Sequence, residues 1–349
     1  MENKIKVSYV TTLPKIGNAP RVSILGNKEE TYFIKFSEKK NNSLHLLSSG
    51  YCKNNQTIIS ASRQWYTEWV IEVYDSKNNL ILVDIFDVKN KNVFIKLDAY
   101  ALGDSIAWIP YVEEFRVKHN CNIICSTFHN HLFIDSYPNI MFVNPNIQIN
   151  NVYVQYYIGA SNDNNFIYST INSNEHPLQK VASEVLGLRY YEIKPNLSEL
   201  CFDSKRRIKE KYVTLSEFGS SSIKEWKEEG GWQYIVDFIN KKGYRVAVIS
   251  KEKTKLIDVI DLSGDIDINE RVIDIKHAEF HLGVSSGLSW LAWGLNKHVI
   301  MISDVTPNWH EFNTNITRIN SSVLTSVNYD NQVVTSKEEV IKKLVDLIE

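Results

Sequence analysis

The stretch VSSGLS (284–289) is small and hydroxyl-rich. It precedes Trp290, Leu291, Trp293 and Leu295, apolar positions spread over about three helical turns. The amides that open such a helix have no intrahelical acceptor, and serine hydroxyls beside them suit a phosphate or diphosphate. Ser285, Ser286, Gly287 and Ser289 are therefore candidate phosphate-binding residues; helix capping by Ser285 and Ser286 is the alternative. Asp104 follows Leu102-Gly103 at a strand-to-helix turn. A helix N-terminus favours an ionised carboxylate there, able to accept a proton, and an N-cap role accounts for it equally well. Lys224 comes just after a small-residue loop that holds Ser216, Ser220 and Ser221. A flexible ammonium in that place suits a phosphate that gains charge as a bond breaks; a solvated lysine is the plainer reading. Glu252 closes a strand where a carboxylate can accept hydrogen bonds from ribose hydroxyls, with a loop carboxylate as its alternative.

These residues need elements to hold them. Residues 1–92 read as a small all-β barrel or sandwich. RVSIL, TYFIKF, WVIEVY and LILVDIF are β-branched and aromatic runs separated by turn clusters. Trp65 and Trp69 belong to its core or to an interface, and a docking or oligomerisation role stands beside a purely structural one. Residues 93–195 alternate strands and helices, with a strand at 93–97, a helix opened by Asp104 with Pro110 in its first turns, and strands near 122–127, 140–143 and 152–157. A second α/β unit occupies 196–349, with strands at 212–215 and 245–249 and a helix over 232–240. It ends in an amphipathic helix that starts from a capping box at Ser336. Two such units side by side invite a ligand outside the carboxyl ends of their strands. Asp104, the 216–224 loop, Glu252 and the 285–289 turn all fall at such ends.

Composition narrows the classes. At 349 residues, with 43% hydrophobic and 23% charged residues, the chain can build more than one core. A net charge of −2 gives no electrostatic reason to expect nucleic acid. Four cysteines in this length make no disulfide framework, which indicates a reducing compartment. No stretch is long enough to span a bilayer and the N-terminus lacks a signal-like apolar core, so a cytoplasmic protein is expected. Cys121 and Cys125 read as buried thiols rather than zinc ligands, and His281 and His310 have no evident partner ligands.

Five stretches jointly resemble the bacterial autotransporter heptosyltransferases, which are related to the family 9 glycosyltransferases. They are ALGDSIAWIPYVEEF (101–115), CNIICSTF (121–128), PLQKVAS (177–183), KEW (224–226) and SGLSWLAW (286–293). The resemblance implies a GT-B fold, two Rossmann-like domains facing a cleft, behind the β-rich leader. It implies an inverting, metal-independent transfer of heptose from ADP-heptose to a hydroxyl, the acceptor being Ser/Thr of an autotransporter adhesin. Asp104 would be the base, Lys224 would hold the donor phosphates, and residues 285–289 would form the diphosphate turn. The wider family often has Asp-Thr-Gly and a following histidine where this chain has Ser285, Ser286 and Trp290. Members of the autotransporter branch carry iron-binding cysteines near the C-terminus that help assemble a ring. RINSSVLTS (318–326) has none, so no iron and no other cofactor is expected, and a homo-oligomer is left open. The alternatives are a related nucleotide sugar used on a glycan acceptor, or a scaffold that binds nucleotide sugar without catalysis.

Overall fold

The computed structural model describes residues 3–9, 19–60, 63, 65–159, 171–172, 174–197, 204–320 and 334–348. Its first part is all antiparallel. Strands β1 (Lys4–Ser8), β2 (Arg21–Leu25), β3 (Thr31–Lys40), β4 (Ser43–Lys53), β5 (Thr57–Ile59), β6 (Trp69–Tyr74) and β7 (Leu80–Ile85) form two sheets, ordered β1-β2-β5 and β4-β3-β6-β7. Tyr32, Ile34 and Phe36 alternate inward along β3, and Trp69 lies fully in the core. Sequence reading misses β4, whose serines and exposed leucines give no clean alternation. The β3–β4 turn is sharp because Asn41 and Asn42 both take positive φ, at 51° and 61°.

The pattern then changes to parallel. After β8 (Asn92–Leu97) come α1 (Leu102–His119), β9 (Asn122–Thr127), β10 (Ile140–Val143) and β11 (Val154–Tyr157), in a sheet ordered β10-β9-β8-β11. Helix α2 (Leu178–Val185) packs on α1. Ile106, Trp108, Ile109, Tyr111, Val112 and Phe115 are all fully buried, so α1 is enclosed on nearly every side rather than laid on a surface. It begins at Leu102, before Asp104, and Pro110 sits well inside it rather than in its first turns.

The last sheet is also parallel, ordered β14-β13-β12-β15-β16-β17. Its elements are β12 (Tyr212–Ser216), α3 (Gly231–Lys241), β13 (Arg245–Val248), β14 (Ile260–Asp261), α4 (Ile268–His277), β15 (Phe280–Val284), α5 (Gly287–Gly294), β16 (His298–Ile302), β17 (Ile316–Ile319) and α6 (Lys337–Ile348). The expected capping box opens α6. The Ser336 amide donates to Glu339 Oε2 at 2.9 Å, and the Glu339 amide to Ser336 Oγ at 3.3 Å. The protein is thus mixed α/β, with two parallel sheets behind a β-rich N-terminal region. No described helix is long and apolar enough to cross a membrane.

One contact between the two parallel parts sets the site. Helices α1 and α5 meet at their N-termini, and a glycine on each side permits it. A Cβ on Gly103 would lie 2.8 Å from Trp290 Cδ1, and one on Gly287 would lie 2.8 Å from Leu102 Cβ. Trp290, Trp293 and Phe312 continue this joint as an aromatic cluster, with Trp293 and Phe312 stacked 4.8 Å apart.

Candidate active site

A cavity of about 260 Å³ opens where α1 and α5 meet. Asp104, Ser220, Lys224, Ser285, Ser286 and Gly287 line it, together with Trp290, His310 and Glu311. Asp104 stands in the first turn of α1, but the N-cap is Ala101 and no side chain caps the helix. The capping role left open by the sequence is therefore not the one Asp104 fills. Its carboxylate accepts no hydrogen bond from the described residues. Burial raises its pKa to about 6, while the Lys224 ammonium pulls the other way. Lys224 ends a short 3₁₀ turn, Ser222–Lys224, and is half-buried at the cavity wall.

The serines divide. Ser286 Oγ caps α5, accepting the Ser289 amide at 3.4 Å. Ser289 Oγ turns back to donate to the Val284 carbonyl at 2.7 Å, so this side chain serves the helix and not the cavity. Ser285 Oγ donates to Glu311 Oε1 at 2.6 Å. The amides of Gly287 and Leu288, at the first positions of α5, retain no intrahelical acceptor. Ser216 is fully buried and does not line this cavity; its Oγ is hydrogen-bonded to His281 Nε2 at 3.2 Å, and Thr214 Oγ1 to Nδ1 of the same ring at 3.1 Å. Burial holds the His281 pKa down to about 3, so this is a neutral, structural imidazole. Ser221 begins the 3₁₀ turn, its carbonyl accepting the Lys224 amide at 3.0 Å, and its side chain lines neither cavity.

Glu252 is exposed and lines a second cavity, about 490 Å³, that shares Ala101, Ser220, Ser286 and Gly287 with the first. The buried Arg271 forms part of its wall. Its guanidinium donates to the Leu262 carbonyl at 2.6 Å and the Gly264 carbonyl at 3.0 Å, which fixes the loop facing Glu252.

Sequence reasoning misses the support behind Ser285. Glu311 and Arg318 form a buried ion pair, and Arg318 also donates to Thr306 Oγ1 at 3.3 Å. Burial alone would raise the Glu311 pKa, but Arg318, His310 and the Ser285 hydrogen bond outweigh it and bring the pKa to about 2. These residues come from the segment after β16, far in sequence from the turn they brace, and no motif spacing announces them.

No protein-family model matches the chain. Among curated proteins it is 28% identical to the autotransporter heptosyltransferase Aah of Escherichia coli over 276 residues, 75% of this chain and 70% of that one. It is also 28% identical to BimC of Burkholderia thailandensis, named an inactive autotransporter heptosyltransferase, over 77% of this chain and 66% of that one. Among solved structures, the heptosyltransferase TibC in complex with ADP-D-β-D-heptose superposes with a TM-score of 0.82 at 20% identity, covering 100% of this chain and 98% of that one. The E. coli lipopolysaccharide heptosyltransferase II superposes at 0.56 and 11% identity, over 74% and 98%. The chain is similar to glycosyltransferases of the heptosyltransferase type. Within that class it resembles the autotransporter heptosyltransferases along three quarters of its length.

The expectation of no iron is corrected by the same comparison, since the TibC structure that matches the whole of this chain is described as iron-containing. Absence of one set of cysteines bears on one ligand set, not on the metal as such. Among the described residues no group of three or more His, Cys, Asp or Glu side chains could hold a metal. Cys52, Cys121 and Cys125 are buried free thiols. The described residues therefore do not fit an iron centre. Residues 321–326 of the segment in which the cysteines are missing lie outside them.

Proposed function

We propose that the protein transfers a heptose from ADP-heptose to a hydroxyl acceptor with inversion at the anomeric carbon, and that the acceptor is a Ser or Thr of an autotransporter adhesin. The observation that carries this reading is one cavity lined at once by Asp104, Lys224 and the Ser285–Ser286–Gly287 turn. A domain division at 1–92, 93–195 and 196–349 agrees with the separation into antiparallel, parallel and parallel sheets. In this reading the cavity is the cleft of a GT-B fold.

The chemistry follows from the groups present. Asp104 takes the proton of the acceptor hydroxyl as the oxygen attacks the anomeric carbon from the face opposite the nucleotide. The bond from that carbon to the diphosphate oxygen breaks, and its electron pair leaves with ADP. Lys224 and the free amides of Gly287 and Leu288 meet the charge that grows on the diphosphate. A base with a pKa near 6 is largely ionised at neutral pH, yet basic enough to accept a proton in the transition state. The second cavity takes the adenosine, with Glu252 at the ribose hydroxyls. A homo-oligomer is part of the proposal because TibC is described as dodecameric.

Asp104→Asn tests the mechanism. Turnover of ADP-heptose should fall about 10²- to 10⁴-fold with ADP affinity nearly unchanged; unaltered turnover removes Asp104 from the chemistry. The second reading, a scaffold that binds nucleotide sugar without catalysis, is favoured by the likeness to BimC, a relative named inactive. Release of ADP from ADP-heptose by the wild-type protein decides between them. Intact mass of a co-expressed adhesin passenger reports whether a protein is the acceptor.

A further inference from the structure

His310 fills none of the roles assigned so far. Its amide donates to the Pro307 carbonyl at 3.1 Å, and its own carbonyl accepts the Leu178 amide at 2.9 Å, at the start of α2. The backbone is thus held from two sides, and His310 lines the same cavity as Asp104 and Lys224. Neither ring nitrogen has a hydrogen-bond partner among the described residues, and Nδ1 is closed off from solvent. The neighbouring polar groups are treated differently. Ser216, Ser285 and Ser289 each find a partner within the fold, as buried polar groups ordinarily do.

The ring is neutral. Burial lowers its pKa, the Lys224 and Arg318 cations lower it further, and the Glu311 carboxylate opposes them only in part. A neutral imidazole offers one donor and one acceptor. A hydroxyl, itself donor and acceptor, can pair with a ring nitrogen in either role, whereas a diphosphate, which only accepts, can pair only with a ring N–H. The group that lies between a base and a diphosphate in this cavity is the transferred sugar.

We propose that His310 is a specificity-determining residue that hydrogen-bonds a hydroxyl of the transferred sugar. This rests on the reading of the cavity as a glycosyl-transfer site. The full chain is compared as wild type, His310→Ala and His310→Asn, by calorimetric binding of ADP and of ADP-heptose and by release of ADP from ADP-heptose. His310→Ala should weaken ADP-heptose binding about tenfold, the loss of one hydrogen bond to a desolvated partner, and should change ADP affinity less than about twofold. His310→Asn, whose amide also donates and accepts, should recover part of the loss and guards against a merely misfolded alanine variant. Equal losses for the two ligands, or no loss for either with wild type binding both, overturns the assignment of His310 alone. A wild-type protein that binds neither ligand overturns the glycosyltransferase reading, and the assignment of His310 falls with it.

Discussion

Asp104 costs the fold stability in the ionisation state that the proposed base would need, and this yields a prediction with two opposite signs. Burial lifts its pKa from the ordinary 3.8 to about 6. Below 3.8 the carboxyl is protonated in both folded and unfolded chains and contributes no difference. Between 3.8 and about 6 the unfolded chain gives up the proton while the folded one keeps it, so stability falls as pH rises. Above about 6 the penalty is complete, about 3 kcal/mol at 1.36 kcal/mol per pH unit. Asp104→Asn removes the charge with little change in shape. At pH 7.5 the variant should be more stable than wild type by up to about 3 kcal/mol, an advantage that vanishes below about pH 4. Urea unfolding of both proteins across pH 3.5–8, with the denaturant slope held common, measures it. Activity should move the other way, and wild-type kcat/KM should decline about tenfold per pH unit below an acid limb near 6. An Asp104→Asn protein that is less stable at pH 7.5, or an advantage that persists at pH 3.5, refutes the claim that the carboxylate is held against its preference.

Three further outcomes are expected. Arg318→Met should destabilise the protein by about 3–5 kcal/mol at pH 7, because it strands the buried Glu311 carboxylate; Glu311→Gln with Arg318→Met should restore much of that in urea unfolding. Since Glu311 is held down to about 2, the pair's contribution is full above about 4.5 and is lost as pH falls toward 2. Gly287→Ala should cost about 1–3 kcal/mol and lower turnover, as the added methyl drives into Leu102 and parts α1 from α5; a neutral result in thermal unfolding would deny that close approach. Glu252→Ala should weaken ADP binding about tenfold by calorimetry, whereas Ser216→Ala, whose hydroxyl is committed to His281, should leave it unchanged.

Much of the architecture was legible because its strands are β-branched runs bounded by turn residues. RVSIL, WVIEVY and YVTLS appear as β2, β6 and β12 with little change in their limits. Where the pattern is mixed, the sequence was silent. INERVIDIKH forms α4, but its few apolar positions are set among five charged residues or histidines and resemble a loop. ITRI forms β17 only because β16 offers its edge. The site divided along the same line. Asp104, Lys224 and the 285–287 turn stood out because each follows a strand closely. Ser216 and Ser289 followed strands too, and composition cannot tell a hydroxyl that points into a cavity from one that satisfies its own fold. Glu311, Arg318 and His310 reach the site by tertiary folding, so only coordinates could bring them in.

That division gives a physical rule for which residues of the cavity to trust as chemistry. Every hydroxyl used by the fold has its hydrogen bond: Ser216 to His281, Ser289 to Val284, Ser285 to Glu311. The carboxylate and the imidazole do not. Among the described residues, Asp104 is lifted by burial without a single donor, and the His310 ring carries a bare nitrogen. A fold that gained only stability from these positions would place apolar side chains there, as it does at Trp290 and Leu178 in the same wall. Retaining an acid and an imidazole unsatisfied beside one ammonium makes sense where a ligand supplies the missing partners. The ligand must then be anionic toward Lys224, bear a hydroxyl toward His310, and present an acidic proton toward Asp104. A sugar nucleotide meeting an acceptor hydroxyl fulfils all three conditions, and a nucleotide whose ribose hydroxyls lie at Glu252 fulfils only the first.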